Sequence, residues 1–65
     1  MSKLQNARKA AGLSQSKLAE LSGVGIRMIQ DYEQDHKDIN GARAITVYQL
    51  AQALGVTVES LLEIE

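Results

Sequence analysis

The stretch QSKLAELSGVGIRMIQDYEQ, residues 15–34, decides how this chain folds. It holds two runs of residues suited to helix, separated by glycines at 23 and 25,. In the first run Leu18 and Ala19 are placed to face inward, and Ala19 is small where two helices must approach closely. Val24 can plug the turn. In the second run Ile29 and Tyr32 stand three apart, on one helical face,. Two short helices are therefore expected, at about 15–21 and from near Gly25 to about Gln34, meeting through a turn that contains Gly23,.

The flanks extend this pattern. Ser2 can cap a first helix at about 3–11, with Leu4, Ala7 and Ala11 as its apolar stripe,. Gly12 suits a left-handed helix end, Leu13 follows as a plug, and Ser14 can cap the second helix,. Residues from Asp35 to Ile39 are expected to form a polar loop. Asn40 can then cap a fourth helix at about 41–54, with Ala44, Val47, Leu50, Ala51 and Leu54 on one face. Alternatively Asn40–Gly41 makes a tight turn, and that helix starts near Arg43,. Gly55 closes it, and Thr57 caps a short fifth helix carrying Val58, Leu61 and Leu62. No run alternates apolar and polar residues as a half-buried strand would. The expectation is one compact all-α domain of five helices over the 65 residues,.

Composition excludes several function classes. There is no Cys, and His36 is the sole histidine, so a thiolate or histidine-rich metal site is not expected,. No nucleophile–base pair or phosphate-cradling loop is visible, and so small a domain has little room for a deep pocket. An enzyme, a cofactor, a small-molecule substrate and a separate sensor domain are not expected. No apolar run approaches the roughly 20 residues that cross a bilayer, and residues 1–10 lack a signal core, so a cytoplasmic location is the default,. The net charge is −1, but its distribution matters more. All seven basic residues lie at or before Arg43, a segment that also holds five acids and balances at +2. Glu59, Glu63 and Glu65 make the remainder −3,.

GLSQSKLAELSGV at 12–24, Ile29 with Tyr32–Glu33, LAQALGVTVESLL at 50–62 and Arg8 in the first helix carry a resemblance. Over nearly its whole length the chain is similar to the Cro/phage-repressor helix-turn-helix family, often called the Xre family. The resemblance implies a lambda-repressor-like domain and a sequence-specific DNA-binding transcriptional regulator, in particular a repressor. It implies that Gln15 meets a DNA phosphate. It also implies that Arg8 and Glu33 tie the first helix to the end of the third, so that Glu33 is structural and does not oppose DNA.

The outer face of the third helix follows from periodicity. At about 100° per residue, the direction opposite Ile29 and Tyr32 centres on Arg27 and Gln34, with Gln30 and Asp31 beside it and Ile26 and Met28 at the flanks. Arg can pair with guanine, Gln with adenine and Asp with cytosine N4, while Ile can pack on a thymine methyl. Asp31 weakens attraction to any duplex but adds discrimination. Lys17, Lys37 and Arg43 lie near the expected path of the phosphate backbone. For all of these the alternative is an ordinary solvated surface.

Three departures from the family pattern stand out. Gly25, counted with the contacting face, occupies the capping position where Ser or Thr is usual. Asp35 replaces a customary Gly or Asn after the helix. The segment from Asp35 to Arg43 is longer than usual.

Two assembly expectations complete the reading. One domain covers one half-site, so a palindromic double-stranded operator and a dimer or tandem partner are expected. The apolar residues Val56, Val58, Leu61, Leu62 and Ile64 suggest a weak homodimer through the C-terminal helix and neighbouring parts of the fourth; otherwise Leu61 and Leu62 pack on the domain's own floor. The rival function is a protein-interaction or antitoxin-like module, favoured by the acidic pI near 5.7 and disfavoured by the clustering of the bases.

Overall fold

Ser2 Oγ accepts from the Gln5 N–H at 2.9 Å and opens α1 (Lys3–Ala10). Ser14 Oγ accepts from the Lys17 N–H at 3.0 Å and opens α2 (Gln15–Ser22). In both cases a hydroxyl satisfies an amide of the first turn that has no partner within the helix. α3 (Ile26–Glu33) follows, starting at Gly25 without a side-chain cap. A 3-10 turn (Ile39–Gly41) and α4 (Ala44–Leu54) complete the order. These elements belong to a computed structural model that describes residues 2–63.

Three helices end in the same way. Beyond α1, Gly12 at φ 73° lets Leu13 N–H reach back to the Arg8 carbonyl at 3.1 Å. Beyond α4, Gly55 at φ 70° lets Val56 N–H reach the Ala51 carbonyl at 3.0 Å. Beyond α3 the left-handed residue is Asp35, at φ 61°, and His36 N–H reaches the Asp31 carbonyl at 2.8 Å. Each is a six-to-one closure that satisfies an end carbonyl. Only at Asp35 does a side chain occupy a backbone conformation that favours glycine.

Packing follows the capped ends. α2 lies against both α3 and α4, and α1 lies against α3. Leu4, Leu18, Ile29, Leu50 and Leu61 are fully buried, so α1, α2, α3, α4 and the C-terminal segment each supply one core residue of this class. Val24, Tyr32, Ile39, Val47 and Ala51 complete the cluster.

Four sequence expectations change. Residues 57–62 do not form a fifth helix: their bonds run only from i+3 to i, as in Leu61 N–H to the Val58 carbonyl at 3.0 Å. Six residues return too few i+4 bonds to offset the cost of nucleation. Of the two starts considered for α4, the later holds: Asn40–Gly41 belongs to the 3-10 turn, Arg43 is the cap residue and the helix starts at Ala44, which is exposed rather than on the buried face. Ile39 is not part of a polar loop but is buried, since the 3-10 turn points it into the core. Ala11 is exposed because α1 has already ended.

The C-terminal segment is held by Glu63. Its N–H donates to Asn40 Oδ1 at 2.8 Å and its carbonyl accepts from Asn40 Nδ2 at 3.2 Å. Its carboxylate Oε2 accepts from Lys3 N–H at 2.7 Å, at the start of α1. Among the described residues the C-terminal segment forms no helix, Leu61 is buried, and Val58 and Leu62 pack against the core, while Val56 is exposed. Leu61 and Leu62 thus pack on the domain's own floor. Ile64, also named for a dimer face, lies outside the described residues.

The strut of the fold is the pair Arg8–Glu33. Arg8 Nε donates to Glu33 Oε2 at 2.7 Å and Nη2 to Oε1 at 3.1 Å, while Nη1 donates to the Leu13 carbonyl at 2.8 Å. The side chains are only 11% and 1% exposed. Removing either partner leaves an uncompensated charge in the interior, whereas replacing both with apolar groups can be nearly neutral. Arg8→Met and Glu33→Leu are each expected to cost about 3–5 kcal/mol in denaturant melts, most of what a domain of this size holds. The double variant should recover part of that loss; strictly additive costs would mean the two do not interact. Asp35→Gly is expected to raise stability by about 0.5–1 kcal/mol, a few degrees in Tm, by relieving the left-handed backbone. An unchanged or lower Tm would refute that reading of φ.

Candidate nucleic-acid interface

α3 turns Ile29 and Tyr32 into the core and its opposite side to solvent. Ile26 is 41% exposed, and Arg27 and Gln34 are exposed, with no ion pair to Arg27 among the described residues. Met28, Gln30 and Asp31 are half-buried at the margins. One surface therefore collects the donors of Arg27, the amides of Gln30 and Gln34, the carboxylate of Asp31 and the apolar Ile26. The helix is short, so its aim depends on its two ends.

Its end is fixed by Arg8, which holds Glu33. The charge of Glu33 is thereby spent inside the domain. Glu33 Oε1 also accepts from Gln15 Nε2 at 3.0 Å, and Gln15 Oε1 accepts from Gln30 Nε2 at 3.4 Å. Gln15 thus joins the first turn of α2 to α3. Sequence patterning could not supply these two bonds, because they depend on how the helices cross. The only signal was the acceptor-only Glu33 expected near the helix junction.

Its start is less constrained. Gly25 has φ −59° and ψ 140°, values any residue adopts, and a Cβ there would meet nothing within 4 Å. The glycine is therefore not required by local space or backbone. It leaves the first amides of α3 without a side-chain acceptor, beside an exposed Ile26.

Two further acids have partners. Asp31 Oδ1 lies 3.7 Å from His36 Nδ1, and its carboxylate side chain is 20% exposed. His36, from the helix-closing turn, is thus the side chain that approaches the Asp31 carboxylate, and Arg27 makes no ion pair with it. Lys17 Nζ meets Glu20 Oε1 at 2.8 Å on the outer side of α2. Hydrogen bonding to Glu20, followed by charge attraction, raises the Lys17 pKa above its ordinary value, and the same contact lowers that of Glu20. Both side chains are open to water, so the contact is readily exchanged,. Ser14, Ser16, Lys17 and Glu20 line a hollow at the start of α2.

The sequence-derived contacts therefore fall into three groups. Gln15, Ile26, Arg27, Gln30, Asp31 and Gln34 belong to α3 or bond directly to it, with Gly25 at its start. Lys17 stands two residues after Gln15, about half a turn round α2, and Lys37 is tied to α3 through its N–H on the Asp31 carbonyl at 3.2 Å. Arg43 stands apart, exposed on the residue preceding α4. Among the described residues no group of acids and histidines could hold a metal ion, and no helix is long and apolar enough to cross a membrane.

A family model described as helix-turn-helix matches residues 4–61. Neither curated proteins nor solved structures gave a significant match. The matched span runs from the first core leucine to the last and includes the α2–turn–α3 unit, its strut and its outward surface. The chain belongs to the Cro/phage-repressor helix-turn-helix family of DNA-binding regulators, which is not a family of enzymes.

Proposed function

We propose that this chain is a repressor that reads half of a palindromic operator by laying α3 in the major groove while α2 crosses the phosphate backbone. The observation that carries this reading is the outward side of α3, where base-pairing side chains gather on a helix whose one acidic end residue, Glu33, is neutralised internally by Arg8. Arg27 offers paired donors suited to guanine, and Gln30 and Gln34 offer amides suited to adenine. Ile26 suits a thymine methyl. In this reading Gln15, Lys17 and Lys37 take phosphates beside α3, and Arg43, apart from that surface, takes one further along the backbone. Asp31 penalises any duplex that offers it no donor, which trades affinity for discrimination. Repression needs only occupancy of the duplex; activation needs a further surface for the transcription machinery.

Two copies are needed to cover two half-sites one turn, about 34 Å, apart. The domain measures 27 × 22 × 21 Å, less than that spacing, so two copies touch only where their bodies lean toward each other between the half-sites. The strip best suited to such contact is on α4, where Ile45 and Tyr48 are 55% and 49% exposed and three residues apart. No charged residue lies between Ala44 and Leu54. Tyr48 is oriented by Gln52, whose Nε2 donates to its hydroxyl oxygen at 2.7 Å. Such a strip can face its own copy across a two-fold axis without like-charge repulsion.

Selection from a random duplex pool, followed by a salt titration, tests the reading. With three to five phosphate contacts per protomer, the log–log slope should be roughly −3 to −4.5. Arg27→Ala should relax preference at particular base pairs by about 1–3 kcal/mol, whereas Lys17→Ala should weaken all sequences alike. No enriched sequence and no salt slope would favour a protein-interaction module. Tyr48→Lys is expected to abolish cooperative binding to paired half-sites while sparing a single half-site. Unchanged cooperativity, or sedimentation as a monomer at every concentration with wild-type chain, would remove α4 as the meeting strip.

A further inference from the structure

Gln30 has an amide whose two ends ask for opposite partners, and an isolated glutamine on a helix surface presents either end. In this domain one end is already chosen. Glu33, ionised against Arg8, can only accept hydrogen bonds. Its Oε1 lies 3.0 Å from the Gln15 side-chain nitrogen, so Gln15 must turn its NH2 group toward Glu33. The Gln15 oxygen therefore faces away from the carboxylate. There it meets Gln30 Nε2 at 3.4 Å, which turns the nitrogen of Gln30 toward α2 and leaves the Gln30 oxygen free.

We propose that Glu33 and Gln15 are positioning residues for base choice: they fix the Gln30 amide with its oxygen and one remaining N–H outward, and so favour adenine over guanine opposite Gln30. This rests on the reading of α3 as the DNA-contacting helix. Adenine presents an N6–H donor beside the N7 acceptor, which an outward oxygen and N–H match together. Guanine presents two acceptors, O6 and N7, and would require the amide to be reversed, with its oxygen toward Gln15. Reversal would set the Gln30 oxygen against the Gln15 oxygen, and Gln15 cannot turn in response because Glu33 holds its nitrogen. A buried charge with no access to DNA thereby selects a base two side chains away.

The test measures a ratio of sequences and not an affinity. Selection with wild type and with Gln30→Ala first identifies the base pair whose preference depends on Gln30. At that pair the adenine-to-guanine binding ratio is then compared for wild type, Gln15→Met and Gln15→Lys. Methionine keeps the bulk but removes both ends of the relay. Lysine still donates to Glu33 and adds a charge for the phosphate backbone, but it has no acceptor for Gln30. The ratio should fall roughly three- to tenfold in both variants, about the value of one net hydrogen bond. Preferences at other pairs should be retained; because the readout is a ratio at one pair, it is independent of any change in general affinity from the lost Gln15 side chain. Gln15 is half-buried and Glu33 keeps both bonds to Arg8, so both variants retain the strut; thermal melts confirm this. A Gln30-dependent pair whose ratio is unchanged in both variants overturns the relay while leaving the DNA-reading assignment standing. A Gln30→Ala variant that changes no position also overturns it. Absence of any selected sequence in wild type overturns the proposed function, and the relay with it.

Discussion

A carboxylate buried at the end of α3 is tolerable only if something inside the domain takes its charge,. Arg8 does this for Glu33, and much of the domain is arranged to let it. α1 must lie against α3 for the guanidinium to arrive, and Gly12 must turn the chain so that the Leu13 carbonyl can take the third donor. Because Arg presents a rigid fork to a carboxylate, the pair fixes direction as well as distance. A buried ion pair adds little net stability compared with apolar packing. What it adds here is a defined crossing of α1 and α3, and a defined acceptor at the base of α3 to which Gln15 is held.

How a short α3 keeps its aim follows from its ends. Eight residues form barely two turns, too few for a stable isolated helix,. Ile29 and Tyr32 anchor its inner side, Glu33 anchors its last turn, and the closure by His36 on the Asp31 carbonyl stops it. The left-handed Asp35 is the cost of that closure without a glycine. The start, at Gly25, has no comparable anchor. Constraint is therefore concentrated at the C-terminal half of the helix, where Gln30 and Asp31 lie, while Ile26 and Arg27 sit at the looser end. Side chains near the anchored half suit exact readout, and those at the looser half suit contacts that tolerate adjustment.

Much of this was legible in the sequence. Ser2 and Ser14 announced helix starts because their hydroxyls serve amides only three residues on, and Gly12, Gly23 and Gly55 announced ends because the left-handed backbone is a local demand. Leu18, Val24, Ile29 and Tyr32 were identifiable as core by spacing alone. The failures are non-local. Thr57 does cap, its Oγ1 accepting from Ser60 N–H at 3.2 Å, but the turn it opens is too short to become a helix before Asn40 takes the Glu63 backbone. Ile39 looked like part of a polar loop because its neighbours Lys37, Asp38 and Asn40 are polar, and only the 3-10 turn aims it inward. The surplus of apolar residues at the C-terminus was real, but Leu61 and Leu62 found places on the domain's own floor. Of the candidate contacts, periodicity correctly turned Arg27 and Gln34 outward, yet it could not reveal that Gln30 bonds to Gln15 or that Asp31 has His36 for a neighbour.

The overall charge then has a physical explanation compatible with a DNA-contacting surface. An acidic pI is an average, and averages count Glu33 and Glu20 as if their charges were free. Glu33 is cancelled by Arg8 in the interior, and Glu20 shares its charge with Lys17 in a contact that water and salt can dissolve. Asp38 caps the 3-10 turn, Glu59 and Glu63 are on the C-terminal segment, and Asp35 stands exposed in the turn just beyond α3. What α3 itself presents is Arg27 against a half-buried Asp31 that lies near a histidine. Such a surface attracts polyanions weakly and lets the match of donors and acceptors decide. Weak general attraction makes correct base edges count for more of the total binding energy, so a nearly neutral helix face serves discrimination better than a strongly basic one would.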